Sequence, residues 1–228
     1  MGKTWPAVLA CSLALLLSAG FLFFTVAGPV YIADWLADAA AQLEPKWSEK
    51  LYRLSLQANP LDDQVRIRLA ELYCAQQSPE AAEQLLRESI AEGTAGTAVY
   101  LHLAALYTQA GQLSDACTLL DQVPEGYLSG RVYQARPKVP EVPRETQLSE
   151  ESPLRFSAGE NGLWYRMDGG SWMEYHAPLS PAVGEHRFSL LAISPKGIPS
   201  PMLEYHCTVI QAQTVGWTGR GFSSVGRK

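Results

Sequence analysis

The residues that could do chemistry in this sequence are few, and most of them lie in its last third. The candidate ligands and proton carriers there are His176, His186, His206, Asp168, Glu174 and Glu185. The histidines lack the spacing of a metal site, and Asp168 lies in an Asp-Gly turn that favours aspartate for backbone reasons. We therefore expect neither a metal site nor the carboxylate pair of a glycosidase.

The sequence motifs of common catalytic sites do not indicate a reaction either. The chain contains no G-x-S-x-G, no phosphate-binding glycine-rich loop and no H-E-x-x-H. Its four cysteines, Cys11, Cys74, Cys117 and Cys207, are far apart and form no C-x-x-C pair, so each is expected to act as a small buried hydrophobe. These observations predict a protein that is not an enzyme and that needs no cofactor and no metal.

Three aromatic residues of the last third are candidates for contact with a glycan. Trp164 alternates with Tyr165 along a strand-like segment, and Trp172 and Tyr175 follow close to the next turn. Aromatic rings can stack on sugar rings, so these three side chains could form a binding platform. The alternative is that Trp172 and Tyr175 pack over their own hairpin.

Charge is distributed unevenly along the chain. The net charge is -5, yet residues 61–125 hold ten acids against three bases, and residues 211–228 hold three bases and no acid. Binding to a phosphate backbone depends on clustered Lys and Arg. We therefore exclude nucleic acid as a partner.

The N-terminal part is apolar over the length of a membrane span. No charged residue occurs between Thr4 and Ala33, and Val8 to Ala27 supplies twenty consecutive mainly apolar residues, about the number that crosses a bilayer. We predict a transmembrane helix at 8–30 after a short N-terminal segment at 1–7. A cleaved signal peptide is the alternative, although its apolar core is usually shorter.

The charges flanking this run indicate the orientation. Lys3 and the free amine precede it, whereas Asp34 and Asp38 follow it. By the positive-inside rule, residues 1–7 are expected in the cytoplasm and the bulk of the chain on the extracytoplasmic side of the cell membrane, which the chain crosses once.

A repeat of thirty-four residues organises the next hundred residues. Five positions recur at that offset: Leu69, Ala70, Tyr73, Ala82 and Leu86 return as Leu103, Ala104, Tyr107, Ala116 and Leu120. The pattern resembles the tetratricopeptide repeat, a pair of antiparallel helices that stacks into a solenoid. Residues 31–124 are predicted to form this solenoid, in units near 29–62, 63–96 and 97–124.

The resemblance implies a binding groove on the concave face, which first helices line. The corresponding positions are Ile67, Glu71, Cys74, Leu101, Ala105 and Thr108. The Lys and Asn of the carboxylate-gripping members are missing there, so a short amphipathic or extended peptide is the expected ligand. The alternative is that the chain's own linker covers the groove.

The remainder is predicted to be a linker, a β-domain and a tail. Residues 125–152 are proline-rich and expected to be extended, residues 153–210 alternate as strands, and residues 211–228 form a basic, flexible end. The run from Trp164 to Tyr175, with its Tyr-x-x-Asp-Gly turn, and the later Gly184-Glu-His strand start resemble the immunoglobulin-like module of bacterial surface proteins and of chitobiase-type C-termini. That resemblance implies a small β-sandwich with an accessory role.

The sequence thus predicts a multidomain chain: a transmembrane helix, an all-α tetratricopeptide solenoid and a small all-β immunoglobulin-like sandwich. The predicted function is a membrane-anchored, non-catalytic scaffold that binds another protein or peptide at the cell envelope. The alternative is a carbohydrate-binding surface protein that uses the β-domain.

Overall fold

The computed structural model describes residues 27–211 together with Ser18 and Thr25. The chain divides into two compact units. A helical unit contains the described residues up to Pro137 and the short segment Ser194–Pro199. A β unit contains Lys138–Ile193 and the described residues from Ser200 onward. Each unit is described separately below.

The helical unit is built from short helices joined by tight turns. The described residues form α1 (Gly28–Ala40), α2 (Pro45–Ala58), α3 (Asp63–Ala75), α4 (Pro79–Ala91), α5 (Thr97–Gln109), α6 (Leu113–Asp121) and α7 (Tyr127–Ala135). Proline stands in the first turn of α1, α2 and α4, where its missing N–H costs nothing. The α3 N-terminus is capped by Asp62, whose carboxylate accepts hydrogen bonds from the N–H groups of Gln64 and Val65 at 3.0 and 3.1 Å.

The predicted repeat appears in the structure as equivalent turns and equivalent buried positions. Two residues beyond the last residue of α3 and of α5, the chain has a residue with positive φ. These residues are Gln77 at 60° and Gly111 at 76°. The residues that follow, Ser78 and Gln112, donate backbone hydrogen bonds to Tyr73 and Tyr107 at 2.9 and 2.8 Å. All ten residues of the five recurring pairs are buried in one core.

The first helix pair follows this pattern only in its second helix. In α2, Tyr52 and Ser55 are buried, as their repeat positions predict. In α1 the buried residues are Ala33, Ala37 and Ala40, and small side chains there let α1 lie close to α2. The Ser55 hydroxyl donates to the Ala33 carbonyl at 2.8 Å and the Ser48 hydroxyl to the Ala40 carbonyl at 2.7 Å, so the two helices run antiparallel.

The β unit contains one five-stranded sheet. Its strands are β1 (Gln147–Ser149), β2 (Gly162–Met167), β3 (Met173–Glu174), β4 (Gly184–Ile193) and β5 (Leu203–Ile210). Their order is β1-β5-β4-β2-β3, with β1 parallel to β5 and the other pairs antiparallel. In β5, Tyr205, Cys207 and Val209 are buried and alternate with more exposed residues. An aromatic cluster forms the core, with Phe188 fully buried at its centre.

The structure corrects the predicted sandwich and linker. The described strands form a single sheet, whereas an immunoglobulin-like sandwich needs two facing ones. In the predicted strand at 154–157, Leu154 and Phe156 are buried as the alternation requires, but the backbone makes only the isolated bridges Leu154 to Leu179 and Ser157 to Glu141. Alternation of apolar and polar residues predicts which side chains are buried, but it does not show whether another strand pairs with the segment.

The predicted extended linker at 125–152 contains two regular elements, α7 and β1. The helix α7 buries only Val132, so its sequence carries too few apolar positions to show a helical period. The strand β1 has three residues with Leu148 as its one buried side chain, which is too short for an alternation signal. Both elements therefore depend on tertiary contacts that periodicity does not reveal.

Three predicted segments lie wholly or mostly outside the described residues. The span at 8–30 and the segment at 1–7 lie outside the described residues, apart from Ser18, Thr25 and residues 27–30. The tail at 211–228 also lies outside them beyond Gln211. Among the residues that are described, no helix has the length and apolar character needed to cross a bilayer.

Candidate functional site

The six predicted groove residues lie on two first helices of the solenoid that contact each other. Ile67, Glu71 and Cys74 are on α3, and Leu101, Ala105 and Thr108 are on α5. Glu71 is exposed and the other five residues are partly exposed. Cys74 and Leu101 pack against the helical core, and the Thr108 hydroxyl bonds back to the Ala104 carbonyl at 3.0 Å. That these residues bind a peptide stays a prediction.

Part of this surface is covered by a segment of the chain itself. Gly197, with a φ of +78°, lies so close to α5 that a Cβ there would be 3.4 Å from the Ala105 Cβ. Its neighbour Ile198 packs against the helical core, and the Arg136 guanidinium donates to the Pro199 carbonyl at 3.1 Å. The covering segment is therefore Ser194–Pro199 of the helical unit, whereas the sequence suggested residues 125–152 as the alternative occupant.

An open cavity of about 660 Å³ lies beside the covered part, between the second and third helix pairs. Cys74, Leu106 and Tyr107 supply part of its wall, and Glu80 and Glu83 supply carboxylates, with no Lys or Arg among the lining residues. We call it the acidic cavity. A cavity lined by apolar side chains together with two carboxylates is suited to a side chain that carries an apolar stem and a positive head.

A network of three residues, present twice, sets the spacing of successive helix pairs. The Tyr73 hydroxyl donates to Glu49 at 3.1 Å, Arg53 donates to the same Glu49 at 3.1 Å, and Arg53 also donates to the Tyr73 hydroxyl at 2.7 Å. Thirty-four residues later, the Tyr107 hydroxyl donates to Glu83 at 3.0 Å and Arg87 donates to Glu83 at 3.0 Å. Tyr107 and Glu83 of this second network line the acidic cavity, whereas Arg87 does not.

Sequence reasoning identified Tyr73 and Tyr107 but missed their partners. The signal was present, since Glu49 and Glu83 recur at an offset of thirty-four, as do Arg53 and Arg87. Their side chains are partly exposed, and comparing only apolar positions hides such a repeat. Burial raises the pKa of both tyrosines, and the neighbouring Glu49 and Glu83 carboxylates act in the same direction. Both hydroxyls therefore remain protonated donors at neutral pH.

Replacing Tyr107 by phenylalanine removes one hydroxyl and leaves the ring in place. We expect the free energy of unfolding of the helical unit to fall by about 0.5–1.5 kcal/mol, the usual net value of one hydrogen bond. Urea unfolding followed by circular dichroism measures the change. In a double-mutant cycle with Glu83→Ala, which removes the acceptor, the two losses should be less than additive; full additivity would show that the bond contributes nothing.

His102 on α5 is a further polar group that the sequence did not single out. Its Nε2 is buried and has no hydrogen-bond partner among the described residues. Burial lowers the pKa of this imidazole, and Glu71 opposes the shift. The ring is therefore neutral at physiological pH, with a buried nitrogen beside the predicted groove helices.

The three candidate glycan-contacting residues do not lie on one surface. Trp164 and Arg166 share a face of β2, and the Arg166 guanidinium lies 5.0 Å from the centre of the Trp172 ring. Tyr175 packs on the opposite side against Phe156 and Tyr165, at ring separations of 5.7 and 6.2 Å. Its hydroxyl accepts a bond from the Phe156 N–H at 3.2 Å. The structure thus groups the two tryptophans and separates Tyr175 from them.

Two of the candidate ligands and proton carriers of the β unit, His186 and Asp168, form a structural clamp. His186 Nδ1 lies 2.8 Å from Asp168 Oδ2, and His186 Nε2 lies 2.9 Å from the Ala182 carbonyl. Asp168, at a φ of 51°, also accepts the Arg187 N–H at 2.8 Å. Both neighbours of the imidazole are acceptors, so only its protonated form can donate to both. No His, Cys, Asp and Glu group suited to a metal occurs in the described part of the chain.

This clamp predicts a pH dependence of stability. The hydrogen bonds to Asp168 and Ala182 raise the pKa of His186, so its stabilisation is complete below about pH 6.5, the ordinary histidine value, and is lost as pH rises through the folded pKa. The bonds from the Arg187 N–H and His186 lower the pKa of Asp168, so its contribution is present above about pH 4 and is lost as pH falls through its folded pKa.

We expect the β unit to lose stability as pH rises above about 6.5, the ordinary histidine value, and His186→Gln to abolish that loss. Urea midpoints below and above this pH measure both proteins. Glu185, Arg187, His206 and Cys207 line the same recess, and His206→Gln serves as the matched control. An unchanged pH slope in His186→Gln would contradict the clamp.

Comparison with known proteins identifies the repeat. A tetratricopeptide repeat model matches residues 75–136. The match runs from the end of α3 to the residue after α7, so it includes a helix that the sequence pattern had assigned to the linker. It ends before the β unit and gives no support to an immunoglobulin-like or chitobiase-like module there. No curated protein and no solved structure matches the chain.

The match covers about a quarter of the chain, and it confirms the repeat-family part of the prediction. The protein has a helical region with tetratricopeptide repeats followed by a small β-sheet region. Such repeats commonly bind other proteins through an extended concave surface and are typically non-catalytic scaffolds.

Proposed function

We propose that this protein is a membrane-anchored scaffold at the cell envelope that binds a partner protein through its helical repeats. The acidic cavity carries the proposal, since it is an open recess of about 660 Å³ with apolar walls in a tetratricopeptide region. The partner segment is expected to present a Lys or Arg side chain, because residues 61–125 hold ten acids against three bases and opposite potentials favour association.

Photo-crosslinking from within the full chain tests the scaffold function. A photoreactive amino acid at Gln109, which lines the acidic cavity, is expected to give discrete protein adducts in cells. The matched position is Gln84, which is exposed on α4 and bonds to Glu88 at 2.8 Å instead. Equal adduct patterns from both positions would contradict binding at the cavity.

The membrane anchor is part of the proposal and has its own support. The run from Val8 to Ala27 is long enough to span a bilayer, and Lys3 before it favours a cytoplasmic N-terminus. We therefore propose a single-pass topology with the helical and β units on the extracytoplasmic side. A reporter enzyme that works only outside the cytoplasm should be active when it is fused at residue 30. Activity of a reporter that works only in the cytoplasm would show the opposite topology.

Carbohydrate binding by the β unit is the second candidate. The observation that favours it is the grouping of Trp164 and Trp172 on one side of β2, with Arg166 between them. Stacking of a sugar on these indoles would be lost in Trp172→Ala and kept in Tyr175→Phe, whose ring lies on the other side. A glycan array probed with the full chain would decide it, and no bound glycan would exclude this candidate.

A further inference from the structure

The outer face of α1 is the N-terminal end of the solenoid among the described residues. In the next helix pair, α3 uses Tyr73 to contact the preceding α2 through Arg53 and Glu49. Leu69 and Val65 lie on the same helical face and are buried. Thirty-four residues before Val65 and Leu69 stand Tyr31 and Trp35. In α1 these two residues are exposed, whereas Ala33, Ala37 and Ala40 are buried, and no helix pair precedes α1 among the described residues.

These end positions carry large apolar side chains that remain in contact with solvent. Tyr31 is 63% exposed, Ile32 56% and Trp35 69%. The terminal units of solenoids usually present a polar outer face, and clustered exposed apolar residues mark an interaction surface. We call Tyr31, Ile32 and Trp35 the end face. Its composition calls for an apolar or amphipathic occupant.

We propose that the end face lies in the headgroup layer of the membrane. The residues immediately before it form the uncharged run that begins at Thr4 and continues to Ala33, so the chain leads from a predicted bilayer span directly into this face. Trp and Tyr concentrate at the boundary between lipid and water, where an amphipathic ring is stable. The inference rests on the proposed membrane anchor and adds a docking surface to it.

Helix geometry sets how far this contact extends. At a rise of about 1.5 Å per residue, Trp35 lies about 8 Å beyond Val30 along α1, at the outer edge of one headgroup layer, which is about 5–8 Å thick. The bond between Ser48 and Ala40 places Trp47 beside the far end of α1, about 15 Å beyond Val30. Trp35 is therefore expected at the interface and Trp47 in water.

Charge argues for contact through aromatic rings and against attraction to anionic lipid. Asp34 and Asp38 are exposed on α1, and no Lys or Arg occurs between Lys3 and Lys46. Anionic lipids attract basic segments, which this face lacks. Docking should therefore occur on neutral phosphatidylcholine and should not weaken as salt is raised.

Tryptophan quenching in vesicles tests the proposal. The full chain is reconstituted into phosphatidylcholine vesicles in two variants that keep one tryptophan, Trp35 or Trp47, with the other five changed to phenylalanine. Lipids brominated near the glycerol end of the acyl chains are the probe. We expect Trp35 emission to be quenched, because interfacial tryptophans lie at the level of the headgroups, and Trp47 emission to stay unchanged. Circular dichroism confirms that both variants keep their helices.

The outcomes separate this inference from the anchor on which it rests. Vesicle flotation is measured first, and a chain that does not float removes both the anchor and the end-face contact. A chain that floats while Trp35 is not quenched keeps the anchor and overturns the inference. Trp35 that is shielded from aqueous acrylamide but not quenched by lipid would assign the end face to a second copy or to another protein segment, which also overturns it.

Discussion

Replacing Leu103 by alanine is expected to lower the free energy of unfolding of the helical unit by about 2–5 kcal/mol, the range for a buried leucine truncated to alanine. Leu103 has no exposed surface and lies on α5 within the core that joins the helix pairs. Close packing leaves no neighbour free to fill the space. Because each solenoid unit is stabilised by its neighbours, the loss should spread across the helical unit.

Urea unfolding of the full chain followed at 222 nm measures this loss, since the helices dominate the signal there. The matched control is Leu101→Ala on the same helix, where the side chain is only partly buried. Its effect should be clearly smaller. Equal losses for Leu103→Ala and Leu101→Ala would contradict the assignment of Leu103 to the repeat core.

Replacing Phe188 by alanine should destabilise the β unit by about 3–5 kcal/mol. The ring is fully buried, and its centre lies 5.5 Å from the ring of Phe156, 6.5 Å from that of Tyr165 and 6.4 Å from that of Tyr205. Its removal would leave these rings without their common contact. Aromatic pairs contribute beyond the area they bury.

Phe188→Leu is the control, because leucine keeps most of the apolar volume and should restore a large part of the stability. Emission from Trp164 and Trp172 reports on this unit, and urea midpoints of the three proteins give the comparison. A loss in Phe188→Ala no larger than in Phe188→Leu would show that Phe188 is not the centre of the core.

The sequence predicted the repeat well because its signal is physical and periodic. Helix pairs can stack only if some positions carry large side chains, such as Leu69 and Leu103, and others carry small ones, such as Ala82 and Ala116. The same residue types therefore occur twice, thirty-four residues apart. The acidic cavity was only partly foreseen. Cys74 was among the predicted groove residues, but Glu80, Glu83 and Leu106 also line the recess and were not among the predicted groove residues or the five recurring pairs.

The contact between the Ser194–Pro199 segment and Ala105 could not be predicted from the sequence. Gly197 lies ninety-two residues after Ala105, and no periodicity links residues that far apart. The same applies to the clamp of His186, which depends on Ala182 and Asp168 coming from different loops. Alternation found most of the strands, but β1 and the single-sheet topology depend on pairing between distant segments.

Charge reversal at the acidic cavity tests the scaffold function most directly. The measurement is the dissociation constant of the protein crosslinked from Gln109 for the full chain, for Glu80→Lys and for Glu125→Lys. Both glutamates are exposed in the helical unit, but only Glu80 lines the cavity. We predict a loss of about tenfold for Glu80→Lys, equal to about 1.4 kcal/mol, and little change for Glu125→Lys. Equal effects of the two substitutions, or none, would contradict binding at the acidic cavity.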